Sequence, residues 1–208
     1  MIPLFVNCSG RRVVIFGGGD VAFRKARYFS NEAEVTVVSR SFGEKIATLG
    51  IRQQEADMAL VSEAVLDDLI DGAFLVVAAL SDPDQNDRIG RRCHAKGILF
   101  NNADGEPGDV IIPSITTSKN YTLAISTGGS SPAISRFIRE HLEAEFPAMD
   151  AMIALQSELR DKLKSVEPIQ VRRNAILKEV LQDRAIWALL TTDPVSAREK
   201  VLERYIHA

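Results

Sequence analysis

The chain of 208 residues has only two cysteines and three histidines, and neither residue type forms a recognisable ligand pattern. Cys8 and Cys93 are far apart and belong to no C-x-x-C or Cys/His motif, which argues against both a zinc site and a disulfide framework. Three isolated histidines likewise exclude a multi-histidine metal cage of ordinary motif spacing. We therefore expect two small buried thiols, a reducing compartment and no metal site.

The sequence also lacks long apolar runs and a strong charge bias. Its longest apolar run, Ala73 to Leu80, is far shorter than the roughly 20 residues that a membrane helix needs, and no signal-like segment opens the chain. A formal charge of −3 with 25% charged residues indicates neither disorder nor a surface for polyanions. These absences predict a cytoplasmic globular protein that binds neither membranes nor nucleic acid.

The most informative segment, residues 13–26, combines an apolar strand, a glycine turn and the start of a helix. It reads G-x-G-x-x-A: Gly17 permits a tight turn, Gly19 lets the backbone approach a diphosphate, and Ala22 lets the helix pack closely. A diphosphate would then lie at the positive helix N-terminus. Three glycines also suit an ordinary strand-to-helix turn, but the flanking strand and helix favour nucleotide binding.

Strand and helix signals alternate through the first hundred residues, which predicts an α/β domain with a Rossmann-like, doubly wound parallel sheet. Strands are expected at 12–16, 34–38, 51–55, 73–80 and 98–101, with helices between them. The segment 1–7 is expected to be extended at a sheet edge.

Ligands of such sheets bind at the carboxyl ends of the strands. This principle places Ala79 and Ser81 near a cofactor, and Arg40 and Ser41 where a ribose is read. An acidic residue is absent there, so Arg40 modestly favours NADP or no discrimination; a solvated strand-end arginine is the alternative.

Two polar segments follow the predicted sheet. Residues 101–109 form a polar loop with three carboxylates, and short strands are expected at 110–113 and 121–126. A second glycine loop then precedes a helix for which Ser131 is a good N-cap and Pro132 suits the first position. Its hydroxyl and N–H groups suit a phosphate or a carboxylate, although an ordinary capped helix start has the same pattern. The loop comprises Ser126, Thr127, Gly128, Gly129 and Ser130.

From Ile134 onward the apolar spacing is helical. Pro147, Pro168 and Pro194 divide this region into several helices, and Asp193 is the expected N-cap of the last one. This part is expected to supply packing rather than chemistry.

Together these segments resemble the precorrin-2 dehydrogenase family, whose members include stand-alone enzymes and the N-terminal part of fused sirohaem synthases. The resemblance implies that the protein oxidises precorrin-2 to sirohydrochlorin with NAD, in sirohaem biosynthesis, and forms a homodimer. Members with this layout often also insert Fe²⁺, as a sirohydrochlorin ferrochelatase. The residues that carry the likeness are 4–5, 17–26, 101–104, 112–114, 124–133 and Arg139-Glu140.

The resemblance also implies a domain organisation and site residues. It gives an NAD-binding domain over 1–112, a small central α+β dimerisation and substrate region over 113–147, and a helical region over 148–208. Asp104 matches the active-site aspartate of the family, and Thr127 stands where some fused members have a serine in the tetrapyrrole pocket. Family usage favours NAD over the NADP hint of Arg40. The implied cofactor contacts are Gly17, Gly19, Asp20, Val21, Arg40 and Ser41.

The chemistry suits Asp104, because oxidation removes a proton as well as a hydride and a carboxylate near the nicotinamide serves as a general base. Taken without the resemblance, Asp104-Gly105 is a typical turn dipeptide. Cationic side chains are expected around a substrate rich in carboxylates, with Lys119, Arg136 and Arg139 as candidates. Two other functions stay open: a nucleotide-sensing Rossmann module, and a chelatase without dehydrogenase activity.

Overall fold

The computed structural model describes residues 1–105 and 108–207. The chain forms two compact units, Met1–Ile112 and Pro113–Ala208. The further boundary expected at residue 147 stays a prediction.

The first unit is an α/β domain with a parallel sheet of five strands in the order β3-β2-β1-β4-β5. The chain builds outward from β1 to β3, then crosses to β4 on the other side of β1. The carboxyl ends of β1 and β4 therefore flank the topological switch point, where sheets of this kind bind ligands. The elements are β1 (Arg12–Phe16), α1 (Asp20–Phe29), β2 (Glu34–Ser39), α2 (Glu44–Ala47), β3 (Arg52–Glu55), α3 (Glu63–Ile70), β4 (Leu75–Ala78), α4 (Pro83–Lys96) and β5 (Leu99–Asn102).

The central strands are buried on both faces, as their continuous apolar runs predict. Val14 and Phe16 of β1 pack in one core layer with α3 and α4, whereas Val13 and Ile15 pack in the other with α1. The outer strand β3 is exposed along its whole length.

Local signals set the helix ends. Ser62 and Asp82 cap α3 and α4 by accepting hydrogen bonds from Val65 N and Asp84 N, and Gly97 ends α4 with a left-handed φ of 68°.

Two expectations for the first 113 residues were wrong, and one short helix was missed. Met1–Asn7 joins no sheet in the described part of the chain, and its apolar side chains are largely exposed. Residues 110–113 form no strand, because Val110 and Ile112 instead pack against the α1 side of the core. The short helix α2 had no clear sequence signal.

The second unit pairs an antiparallel hairpin with five helices. Its elements are β6 (Ser114–Thr117), β7 (Thr122–Ile125), α5 (Pro132–Glu145), α6 (Met149–Val166), α7 (Gln170–Gln182), α8 (Arg184–Thr192) and α9 (Pro194–Ile206). The expected caps are confirmed: Ser131 accepts from Ile134 N and Asp193 from Ser196 N. A stripe on α6 forms the core with α7, α8 and α9; its buried members are Met152, Leu155, Leu159 and Leu163. Among the described helices, none is both long and apolar enough to cross a membrane.

Candidate active site

Gly17 brings the glycine turn directly against the end of β4. Its φ of 125° suits only glycine, and a Cβ there would lie 2.5 Å from the Ala79 carbonyl oxygen. The Gly17 N–H donates to Val38 O at 2.9 Å, which ties the turn to β2 as well. Gly17 therefore sits at the switch point, as its motif predicts.

Gly18 packs against the segment that follows β2, a role that the sequence did not reveal. A Cβ on Gly18 would collide with the Ser41 carbonyl oxygen and lie 2.7 Å from Ser39 Oγ. The Gly18 oxygen also accepts from Gly43 N at 2.9 Å. Any side chain at Gly18 would push the Ser39–Ser41 segment away from the turn.

Gly19 faces open space: among the described residues, no heavy atom outside Gly18–Asp20 lies within 4 Å of where its Cβ would be. It is the N-cap residue of α1, and no side chain caps this helix. The free space and the uncapped N–H groups at the positive end of a ten-residue helix fit the diphosphate of a dinucleotide.

The predicted contact residues Asp20 and Val21 form the first turn of α1. Val21 is partly exposed, and Asp20 forms an ion pair with Lys45 at 3.1 Å. Both residues therefore directly follow Gly19 in the chain, next to the open space.

The other predicted cofactor residues follow β2 and β4 at the same edge. Arg40 is exposed, with its guanidinium 3.8 Å from the Asp57 carboxylate. Ala79 N donates to Phe16 O at 2.8 Å, and the exposed Ser81 follows Leu80.

Asn86 holds the backbone of the segment after β4, between Ala79 and Ser81. Sequence reasoning missed this residue. Its amide group accepts from Leu80 N at 3.1 Å and donates to Leu80 O at 3.0 Å, and the side chain is fully buried. Asn86 shares the buried face of α4 with Ile89 and Cys93, so a polar residue at an apolar position was the available signal.

Asp104 lies two residues beyond β5 at the same edge of the sheet. Ala103 N extends the ladder by donating to Ala78 O at 2.9 Å, and Asp104 N donates to Asn102 Oδ1 at 3.2 Å. The Asp104 side chain is exposed and has no ion-pair or hydrogen-bond partner among the described residues. Its carboxylate is therefore available for chemistry.

The predicted polar loop has two further carboxylates, Glu106 and Asp109. Glu106 lies outside the described residues. Asp109 Oδ2 accepts from Phe100 N at 3.1 Å and lies 3.4 Å from His94 Nε2, while Val110 N donates to Phe100 O at 3.1 Å. Asp109 therefore anchors the returning chain to the outer edge of β5.

The second glycine loop is braced by its own hydroxyl groups. Thr127 Oγ1 accepts from Ser131 N at 2.9 Å and donates to Ser131 O at 3.0 Å, and Ser126 Oγ accepts from Gly128 N at 3.1 Å. Gly128 and Gly129 both adopt positive φ, which permits the loop to reverse before α5. In this geometry the Thr127 hydroxyl maintains the loop shape.

Of the three cationic side chains that are candidates for substrate binding, two form ion pairs with glutamates of the second unit. Arg139 donates to both oxygens of Glu143, at 2.7 and 2.8 Å, and to Ser114 Oγ at 3.1 Å. The hydrogen bonds from Arg139 to Glu143 lower the pKa of the Glu143 carboxyl, with a further contribution from a hydrogen bond with Thr116. Arg136 donates to Glu140 at 2.7 Å.

The two cysteines differ in burial. Cys93 is buried, and burial raises the pKa of its thiol to about 12, so it remains protonated and unreactive. Cys8 is only half-buried, although burial raises the pKa of this thiol too. The expectation of two buried thiols is confirmed for Cys93 alone.

The fold and the glycine turn define an NAD(P)-binding protein of the Rossmann type. A family model described as NAD(P)-binding matches residues 4–114, more than half of the chain, and a model of the central part of sirohaem biosynthesis proteins matches residues 122–145.

Two similar proteins indicate the family within this class. A precorrin-2 dehydrogenase of Methanosarcina barkeri is 39% identical over 191 residues, which are 89% of this chain and 85% of that protein. A siroheme synthase of Azotobacter vinelandii is 33% identical over 97% of this chain but only 43% of its own length. The chain therefore spans less than half of that siroheme synthase.

The solved structure of the precorrin-2 dehydrogenase SirC has the same fold, with a TM-score of 0.71 at 23% identity and full coverage of both chains. On the strength of the Methanosarcina relative, the chain belongs to the precorrin-2 dehydrogenase family.

Proposed function

We propose that the protein oxidises precorrin-2 to sirohydrochlorin with NAD as the hydride acceptor, in sirohaem biosynthesis. The observation that carries this proposal is the open glycine turn at the switch point, which shares one edge of the sheet with the exposed Asp104. Family membership supplies the substrate class.

The chain holds the cofactor with residues from three strand ends. Gly17 and Gly19 let the diphosphate approach the N-terminus of α1, and Asp20 and Val21 line this first helical turn. Arg40 and Ser41 border the ribose end, and Ala79 and Ser81 border the end toward Asp104. NAD, when bound, supplies an acceptor for the hydride that leaves the substrate.

Asp104 takes the proton that this oxidation releases. A carboxylate acts as a general base when it lies within hydrogen-bond reach of the proton, and the Asn102 side chain holds the Asp104 backbone for this purpose. When Fe²⁺ replaces the two inner protons of sirohydrochlorin, the same carboxylate would accept one of them and solvent the other. Ferrochelatase activity is therefore part of the proposal, with Fe²⁺ as a substrate.

The second glycine loop is the proposed site for substrate carboxylates. Backbone N–H groups of Gly129 and of the α5 N-terminus suit an anion, while Thr127 and Ser126 keep the loop in shape. The homodimer and the cytoplasmic location stay predictions.

The test is anaerobic incubation of the purified protein with precorrin-2 and NAD, with absorbance followed for sirohydrochlorin. We expect product only with the nucleotide present, and a large loss of kcat in Asp104→Asn with unchanged NADH binding. Addition of Fe²⁺ afterwards should form sirohaem faster than a protein-free control does. NADH binding without any turnover would overturn the proposal and favour the nucleotide-sensing module.

A further inference from the structure

The end of β2 carries no acidic residue to bind the 2′-hydroxyl of an NAD ribose. Ser39 ends the strand, and Arg40 follows it. An arginine at this position ordinarily accommodates the 2′-phosphate of NADP. By itself, this edge would therefore favour the wrong cofactor for an NAD-dependent enzyme.

The neighbouring strand places a carboxylate beside this arginine. Glu55 of β3 pairs in register with Ser39, and Ala56 N donates to Ser39 O at 3.0 Å. The chain then brings the Asp57 carboxylate to 3.8 Å from Arg40 Nη1. Since parallel strands end at one edge, Asp57, two residues beyond the end of β3, stands next to the site where β2 lacks an acidic residue.

The position of Asp57 is fixed by its own turn. Asp57 Oδ1 accepts from Ala59 N at 3.0 Å, and its backbone oxygen accepts from Leu60 N at 2.9 Å. Its other oxygen, Oδ2, is the one that faces Arg40. The Asp57 side chain is 32% exposed and that of Arg40 is 72% exposed, so the guanidinium is the more accessible partner for a ligand.

We propose that Asp57 selects NAD over NADP by occupying the Arg40 guanidinium that a 2′-phosphate would otherwise bind. A phosphate entering this site meets a carboxylate of the same sign a few ångströms away and must displace it from Arg40. NAD presents only a hydroxyl there and pays neither cost. The inference rests on the proposed function in taking this edge as the ribose site of the cofactor.

The test measures nucleotide affinity directly, by the fluorescence of NADH and NADPH titrated with the protein at low salt. The variant Asp57→Asn keeps an oxygen for Ala59 N and removes only the charge. We expect it to lower the Kd for NADPH by about tenfold while the Kd for NADH stays within about twofold. Asp68→Asn is the matched control, because this exposed carboxylate on α3 gives the same change in net charge.

A second variant identifies the partner of the phosphate. Replacing Arg40 by leucine in the Asp57→Asn background should abolish the gain for NADPH. The gain should also shrink as salt rises, because exposed charges are screened. Both results would support direct use of Arg40 by the phosphate.

Three results would overturn the inference. An NADPH-to-NADH ratio unchanged in Asp57→Asn, or changed equally in Asp68→Asn, would remove any specific role of Asp57. A loss of NADH affinity of more than about fivefold would assign Asp57 to the ribose itself. Turnover of precorrin-2 with NAD is measured separately, so this inference can fail while the proposed function stands, and the reverse.

Discussion

At the scale of single residues, the three consecutive glycines of the turn differ in their surroundings. Gly17 lies against Ala79, Gly18 lies against Ser39 and Ser41, and Gly19 faces open space. The motif predicted Gly17 and Gly19 from their spacing alone. The contact of Gly18 depends on how β2 ends, so only the folded structure reveals it.

Alanine substitutions should separate these roles. Gly19→Ala should leave Tm nearly unchanged and weaken NADH binding by about tenfold or more, because its Cβ enters the space that we propose for the diphosphate. Gly18→Ala should instead lower the free energy of unfolding by roughly 1–3 kcal/mol, since the Ser41 backbone must move away from the added Cβ. Thermal unfolding measures the effect on stability, and NADH titration measures the effect on cofactor binding. Unchanged NADH affinity in Gly19→Ala would remove the turn from the cofactor site.

Asn102 offers a second test at this scale. Its side chain accepts the Asp104 N–H, so Asn102→Ala should reduce kcat by about tenfold through misplacement of the carboxylate, with NADH affinity unchanged. Asn102→Ser should recover part of the rate, because serine forms the same kind of turn more weakly. Asn7→Ala is the control: Asn7 also accepts from the amide two residues ahead, Ser9 N at 2.9 Å. An equal loss in Asn7→Ala would contradict the positioning role.

At the scale of elements, the sequence predicted helix ends better than strand ends. Ser131-Pro132 and Asp193-Pro194 mark helix starts because capping depends only on neighbouring residues. The hairpin strand was expected at 110–113 but occupies Ser114–Thr117. Its position depends on long-range partners, since Arg139 of α5 donates to Ser114 Oγ, and no local pattern reports such a contact.

The ion pair of Arg139 and Glu143 predicts that the stability of the hairpin and α5 depends on pH. Hydrogen bonds from Arg139, then from Thr116, hold the pKa of Glu143 below its ordinary value of 4.5. A depressed carboxyl pKa contributes stability above the ordinary value, and this stability is lost as pH falls through the folded pKa. Glu143→Gln should therefore lower Tm at neutral pH, and the difference from the unaltered protein should shrink below pH 4.5.

The control for this measurement is Glu145→Gln, an exposed glutamate of the same helix without an ion-pair partner among the described residues. It should show no pH-dependent difference in Tm. If the Tm difference between Glu143→Gln and the unaltered protein stayed constant from neutral pH to below pH 4.5, the carboxylate charge would not be what stabilises the hairpin.

At the scale of the whole molecule, each unit has its own hydrophobic core. The alternating and helical apolar patterns predicted both architectures, because burial of one face is a property of the sequence itself. The pairing of specific polar side chains was not predictable in this way. Asn86 with Leu80, and Asp57 with Arg40, become partners only when separate elements meet.

Separate cores predict separable effects of core substitutions. Leu159 is fully buried in the second unit, so Leu159→Ala should destabilise that unit by about 2–5 kcal/mol. At a temperature where the protein remains folded, NADH affinity should not change, because the glycine turn lies in the first unit. Leu66→Ala, an equally buried leucine of the first unit, is the comparison and should lose NADH binding at a lower temperature. Equal loss of NADH binding in both variants would contradict separate cores.

The anchoring of Asp109 and Val110 on Phe100 has a consequence for solubility. β5 is an outer strand, and strands in that position offer free N–H and C=O groups to other chains, which promotes fibre formation. Here the returning chain occupies both backbone groups of Phe100. On the opposite border, β3 carries Arg52 and Glu55, whose charges disfavour stacking against another strand. Both borders of the sheet are thus protected against aggregation by residues that leave the carboxyl edge of the sheet, the proposed site, open.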